Sequence, residues 1–306
     1  MTCGITSGQR DQIAGLATAA TRKVVDAMGL DKEAAQCVIT HGDEFAVVVG
    51  DAVRAAVQRL SVLQDFTTEQ VASSWVYPPE YKGPVAIREQ IDGLVQAFGL
   101  SGAEALRFAE AVLPTLVLPE GAEGWFAIPK VEGLARLHFP SIMDPAARYC
   151  AAVRLTLGKI AEQRAFKNWR EGQVVPAQLR QHARTAAMLE RIGEQQQPGD
   201  IILLPAQFGR RHAGRSVRRA RAVFSAPEFG LGSLAVGSMT LTHSQRFVRW
   251  EQLHADCSGD EFAGGGSHFV RAPYFGWHDG ELHFGTYPYS GAVDNYGSVS
   301  GFLPQS

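Results

Sequence analysis

The tract Glu194-Gln195-Gln196-Gln197-Pro198-Gly199 separates two stretches of chain whose apolar residues follow different periods. Ahead of it they recur at three- and four-residue steps, the spacing of one helix face. Beyond it they gather into short runs between glycines, as strands do. Runs of helix followed by runs of strand argue against an alternating doubly wound sheet and for the α+β class. The expected architecture is a mainly helical N-terminal two-thirds, residues 1–195, packed on a smaller glycine-rich mixed α/β region, residues 199–306.

The helical pattern is specific in places. Ile13, Leu16, Ala17, Ala20, Val24 and Val25 predict a helix from Gln9 to Met28 that ends at Gly29. Phe45, Val48, Val49, Ala52, Val53, Ala56 and Leu60 predict another from Gly42 to Leu63. Pro84 precedes an apolar face of Ile87, Ile91, Leu94, Val95 and Phe98, stopped by Gly99. Ser101 with Glu104 reads as a capping box, and Asp144-Pro145 opens a helix carrying Tyr149, Val153, Leu157 and Ile160. A last one is expected from Pro176 to Ile192. Two proline-rich breaks, Ser73–Tyr81 and Leu113–Pro129, read as loops. In the second region Ile201–Phe208, Leu234–Thr242, His268–Ala272 and Leu282–Tyr287 read as strands, with glycine-rich turns that include Gly264-Gly265-Gly266.

Composition excludes several classes. With 45% hydrophobic and 20% charged residues over 306 positions, the chain matches an ordinary globular protein. Four cysteines, Cys3, Cys37, Cys150 and Cys257, are too far apart for a zinc knuckle or a dense disulfide scaffold. No basic-then-apolar leader opens the sequence, and no apolar run is long enough to span a bilayer. A cytoplasmic protein without membrane association is the expectation.

Three segments carry chemistry. Six arginines (Arg210, Arg211, Arg215, Arg218, Arg219, Arg221) fall within twelve residues, with no acid between Asp200 and Glu228. Gly209-Arg-Arg-His-Ala-Gly214-Arg215-Ser216 has the spacing of a phosphate-binding loop with arginine in the lysine position. It is followed by no magnesium-holding strand and no further βα units. Arg210, Arg211, Arg215, Ser216, Arg218 and Arg219 are therefore expected to bind a nucleic-acid backbone or another phosphate-rich anion from a loop and helix. Against this, the chain beyond Gly199 holds nine arginines and nine acids, so internal pairing with Glu251, Asp256, Asp260 or Glu261 competes. That alternative makes the segment structural, holding a domain or a subunit together.

The third segment is a run of histidines and acids. His243, His254, His268, His278 and His283 lie within 41 residues, beside Asp256, Cys257, Asp260, Glu261, Asp279 and Glu281. His254, Asp256, Cys257 and Glu261 supply an acid, a base, a nucleophile and metal-ligand types, which suits a metal- or cysteine-dependent hydrolase. Their spacing matches no standard zinc signature, and in an extended strand His254 and Asp256 share one face while Cys257 takes the other. The tyrosine-rich tail from Tyr287 to Phe302 offers rings for stacking. Cofactor and oligomeric state are not legible.

Overall fold

The computed structural model describes residues 6–62, 65–265 and 268–304, with the side chains of residues 54, 55 and 58–62 also left out. Cys3 and Gly266 lie outside the described residues, as does the side chain of Leu60. The chain is α+β and divides into two compact units, Met1–Val62 and Leu63–Ser306. The tract at 194–199 falls inside the second unit.

The first unit is three helices: α1 (Ser7–Met28), α2 (Lys32–Thr40) and α3 (Gly42–Val62). Thr6 and Gln9 close a reciprocal cap on α1, Gly29 ends it in the left-handed conformation, and Asp31 caps α2. The apolar stripes read from the sequence are present, yet no described residue of α1 or α2 is buried.

In the second unit, α4 (Ile87–Phe98), α5 (Ala103–Ala111), α6 (Val131–His138), α7 (Pro145–Gln163) and α8 (Ala183–Gln195) precede α9 (Val217–Val223) and α10 (Ser233–Thr242). Gly99 closes α4, and the Asp144 carboxylate accepts from the Ala147 N–H at 2.7 Å to cap α7. The Ser101 capping box is absent. Gly102 is the cap of α5, and the Ser101 N–H is turned toward Asp200 instead.

Eleven described strands form two sheets: β1 (Gly124–Pro129), β2 (Phe166–Asn168), β3 (Leu179–Gln181), β4 (Ile201–Gln207), β5 (Glu228–Gly230), β6 (His254–Asp256), β7 (Asp260–Ala263), β8 (Phe269–His278), β9 (Glu281–Pro288), β10 (Tyr296–Ser298) and β11 (Ser300–Phe302). The smaller sheet runs β1-β4-β11-β5, all antiparallel. In the larger one β8 is the axis. It pairs with β9 along its length, and with β7 and β6 in turn along its other edge. β3 extends β7, while β2 and β10 add parallel edges to β9 and β6. β1 lies in the segment expected as a proline-rich loop, and it draws the first sheet from both sides of the 194–199 tract.

Helix α10 occupies the region expected as a strand. Residues Ser233–Thr240 are buried on every side, so their apolar run has no polar face to reveal a helical period. It packs against α7, α4, β1 and β8. A buried helix N-terminus leaves N–H groups that water cannot reach. Asp260 meets this demand: its carboxylate accepts from the Ser233 N–H at 2.6 Å and from the Tyr149 hydroxyl at 2.6 Å. Burial pushes the Asp260 carboxyl up to about 6, against the pull of these donors.

Replacing Asp260 by Ala leaves two buried donors unpaired, at about 1–3 kcal/mol each. Chemical denaturation at neutral pH is expected to show a loss of that size. Arg88→Ala, which breaks the exposed pair with Glu110, is expected to cost no more than about 1 kcal/mol. Equal effects from the two variants would contradict a supporting role for Asp260.

Candidate functional site

Strand alternation and register place one set of side chains on a single face of the larger sheet. Asp256 pairs with Ser298 on one side and Tyr274 on the other, and His254 pairs with Tyr296. Across β8 and β9, Tyr274 stands opposite Gly285 and Gly276 opposite His283. The face therefore carries His254, Asp256, Tyr274, His278, His283, Tyr296 and Ser298. The reverse face, with Cys257, Phe275 and Phe284, belongs to the core.

Two glycines shape this surface. A Cβ at Gly276 would come within 3.0 Å of the His254 ring, and one at Gly285 within 2.9 Å of the Tyr274 ring. Without them the rings could not lie down across the neighbouring strands. His254 and Tyr274 are nearly parallel, at 9°, with centroids 6.4 Å apart. Tyr296 meets both edge-on at 4.9 and 5.2 Å, and Trp250 meets His254 at 5.3 Å and His278 at 3.9 Å. His278 stacks on His283 at 5.4 Å. The His283 Nδ1 faces the Trp169 indole N–H at 3.3 Å while its Nε2 faces Glu281 at 3.2 Å, which fixes the tautomer with the proton on Nε2. Trp250, Trp169 and Tyr287 are exposed at the rim.

The polar atoms within are unusual. Among the described residues, both ring nitrogens of His254 and the Ser298 hydroxyl are buried without a partner, as are Nε and Nη1 of Arg246 and Nε2 of Gln252. Native interiors leave few such groups, and those that exist call for an explanation. Asp256 is 5% exposed, and burial alone pushes its carboxyl up to about 7. Burial, with the charges of His278 and Arg246 nearby, pushes His254 down to about 3, so its imidazole is neutral. Arg246 is fully buried, stacked on Tyr77 at 4.3 Å and on Phe247 at 4.5 Å, with one N–H on the Phe208 carbonyl. Close by, Tyr77 and Tyr81 both donate to Glu123, whose carboxyl burial pushes up.

Of the four residues singled out as catalytic, the fold brings His254 and Asp256 together. Cys257 points into the core, where burial and the neighbouring Asp260 hold its thiol well above the usual range. Glu261 lies on β7, paired with Arg180 at 2.8 Å and Arg221 at 3.4 Å. No cluster of three or more metal-ligating side chains occurs among the described residues. Asp260 serves the cap of α10. The sequence singles out neither Tyr274 nor Ser298, and Tyr296 enters only as one ring of the tyrosine-rich tail.

Most of the arginine segment meets internal partners, while Arg210 and Arg211 are exposed. Arg218 holds Glu69 through both carboxylate oxygens and stacks on Phe66 at 4.1 Å. Arg221 donates to the carbonyls of Ser258 and Asp260 at 2.8 Å each, as well as to Glu261. Arg211 lies 3.3 Å from the buried Glu228, Arg215 reaches His212, and Arg219 donates to the Asp65 carbonyl. Burial would raise the Glu228 carboxyl, but His212, Ser300 and Arg211 outweigh it and hold the group down to about 2. Ser216 caps α9 and donates to Glu69. The Arg210 N–H is taken by the Tyr77 hydroxyl. The loop with phosphate-loop spacing forms one 3-10 turn, Arg210–His212, against β10. At Gly209, φ is 116°, and a Cβ there would meet the Gly297 carbonyl at 2.7 Å, so the glycine answers to packing.

Comparison with protein-family models, with curated proteins and with solved structures finds no match to this chain.

Asp256 gives a signed test. Its folded-state pKa is raised, so between about 4 and 7 the folded chain binds a proton that the unfolded chain has released, and stability falls as pH rises through that window. Asp256→Asn removes the proton and the slope. Thermal melts are expected to show the variant gaining over the native chain as pH climbs from 4 to 8, with little difference at pH 4. A gap independent of pH would refute the assignment.

Proposed function

We propose that this chain is an enzyme that uses Asp256 as a general acid–base group on a small polar substrate at the aromatic face of the larger sheet. The observation that carries the reading is the coincidence, on one face, of a buried carboxyl titrating near neutrality with buried hydrogen-bonding atoms that have no partner. A group that exchanges its proton near the working pH is what general catalysis needs, and perturbed values of this kind gather at functional sites. In this reading the neutral His254 and the Ser298 hydroxyl orient the substrate, and the rings of Tyr274 and Tyr296 enclose it. Cys257 takes no part, because its thiol faces away and is held protonated. The reaction is acid–base and not nucleophilic.

A second reading concerns the arginines. Their pairing with Glu69, Glu228, Glu261 and main-chain carbonyls supports a structural role and gives an anion-binding surface no geometric support. Binding of phosphate-rich polymers by Arg211, Arg215, Ser216, Arg218 and Arg219 would compete with these contacts, whereas Arg210 is exposed with its main-chain N–H on the Tyr77 hydroxyl.

Both readings can be measured. A thermal-shift screen against sugars, nucleosides and amino acids is expected to yield ligands that stabilise the native chain and fail to stabilise Asp256→Asn or Ser298→Ala. Ligands that act equally on all three would place binding elsewhere. For the arginines, affinity for a mixed-sequence oligonucleotide is expected to be negligible even at low salt. Tight binding that weakens steeply with salt, with a slope flattened by Arg218→Ala, would restore the anion-binding reading.

A further inference from the structure

Arg246 is the largest fully buried side chain among the described residues. That position is costly, because a guanidinium does not shed its proton to escape burial. Tyr77, Phe247 and Phe208 cover it, with ring centres 4.3, 4.5 and 5.2 Å away. Aromatic faces answer to its charge, but the N–H groups point outward in the guanidinium plane and need acceptors. Only Nη2 has one, the Phe208 carbonyl at 3.1 Å, while Nε and Nη1 have none. Glu123, whose charge reaches Arg246, is held by Tyr77 and Tyr81 instead. Gln252 is fully buried as well and repeats the pattern. Its Oε1 accepts from the Val248 N–H at 3.3 Å, and its Nε2 has no acceptor. Burial, then the charges of His278 and Arg246, keep the His254 imidazole neutral, so the guanidinium lies within range of that ring. Asp256 responds to burial alone, which puts the guanidinium farther from the acid than from His254.

We infer that Arg246 and Gln252 hold the carboxylate of a small-molecule substrate whose reacting end lies toward Asp256. The inference rests on the acid–base reading above and names the class of substrate for it. The unpaired atoms decide the chemistry. Nε and Nη1 of Arg246 and Nε2 of Gln252 can only donate, so the partner they lack is an acceptor. One buried positive charge is matched by one negative charge, and a carboxylate supplies it in a shape the guanidinium fits. A phosphate dianion would bury a second negative charge near Glu123 with no cation to meet it. Arg246 and Gln252 flank residues 247–251, which belong to no helix or strand. This segment carries the exposed Trp250, packed on His254 at 5.3 Å. A ligand reaches the buried donors by displacing it, so Trp250 reports the arrival.

Calorimetric titration of the full chain tests this. The probes are aliphatic, hydroxy, keto, amino and aromatic monocarboxylates, each beside its primary amide, with inorganic phosphate as a further anion. At least one acid is expected to bind about tenfold or more tightly than its amide, since a charge-assisted contact is lost in the amide. Binding should also change tryptophan fluorescence, and Trp250→Phe should remove that change. Arg246→Met keeps a long apolar side chain against the three rings and is expected to lose the preference for acid over amide. Should that variant fail to fold, NMR of the native chain decides: the arginine Nε–Hε resonance most protected from exchange should move with the acids and stay with the amides. Acid binding that survives in Asp256→Asn and is lost in Arg246→Met would keep the carboxylate site while removing the acid–base reading. Ligands that need Asp256 yet bind equally well as acid and amide would keep that reading and overturn this inference. Phosphate bound more tightly than every carboxylate, or an Arg246→Met chain that still prefers the acid, would overturn it too.

Discussion

The carboxylate of Asp260 is the contact on which the second unit depends. It sits where three elements that are remote in sequence meet: the buried N-terminus of α10, the Tyr149 hydroxyl of α7, and the start of β7. A helix buried on all sides can be tolerated only if its end groups are satisfied from within. Once Asp260 is in place, the turn from β6 to β7 is held, and Arg221 grips the Ser258 and Asp260 carbonyls from outside. The orientation of His254 and Asp256 on β6 follows from that anchoring.

The same short segment thus holds two buried acids with opposite circumstances. Asp260 has donors on both oxygens, and they restrain its carboxyl against burial. Asp256, four residues earlier on the opposite side of the turn, has only burial acting on it. A fold that satisfies one acid and strands its neighbour near an unpaired histidine departs from local consistency there, and such places are where function is expected. The arginine-rich segment shows the reverse: a charge run with no acid beside it in sequence finds Glu69, Glu228 and Glu261 in space.

How much of this was legible follows from the range of each interaction. The helices with clear caps and stops, α1, α4 and α7, were readable because Gly29, Gly99 and Asp144 act within one turn. α10 and β1 were not, because an apolar run buried on every side has no period and a proline-bearing strand looks like a loop. The facing of His254 and Asp256 away from Cys257 followed from strand alternation alone. Internal pairing of the arginines was foreseeable from the balanced charge, and Glu261 was among the acids named. Glu69 was not, since nothing local ties it to Arg218 across 149 residues. The aromatic tile was hidden for a related reason: Gly276 and Gly285 have meaning only once register sets them beside His254 and Tyr274.

The central claim is that Asp256 keeps its proton near neutral pH in the native fold. Carbon-detected NMR titration of the Asp256 carboxyl, assigned by its loss in Asp256→Asn, measures this directly. The account predicts a midpoint near 7. A midpoint near the ordinary aspartate value of about 4 would contradict it and remove the basis for acid–base chemistry at this face.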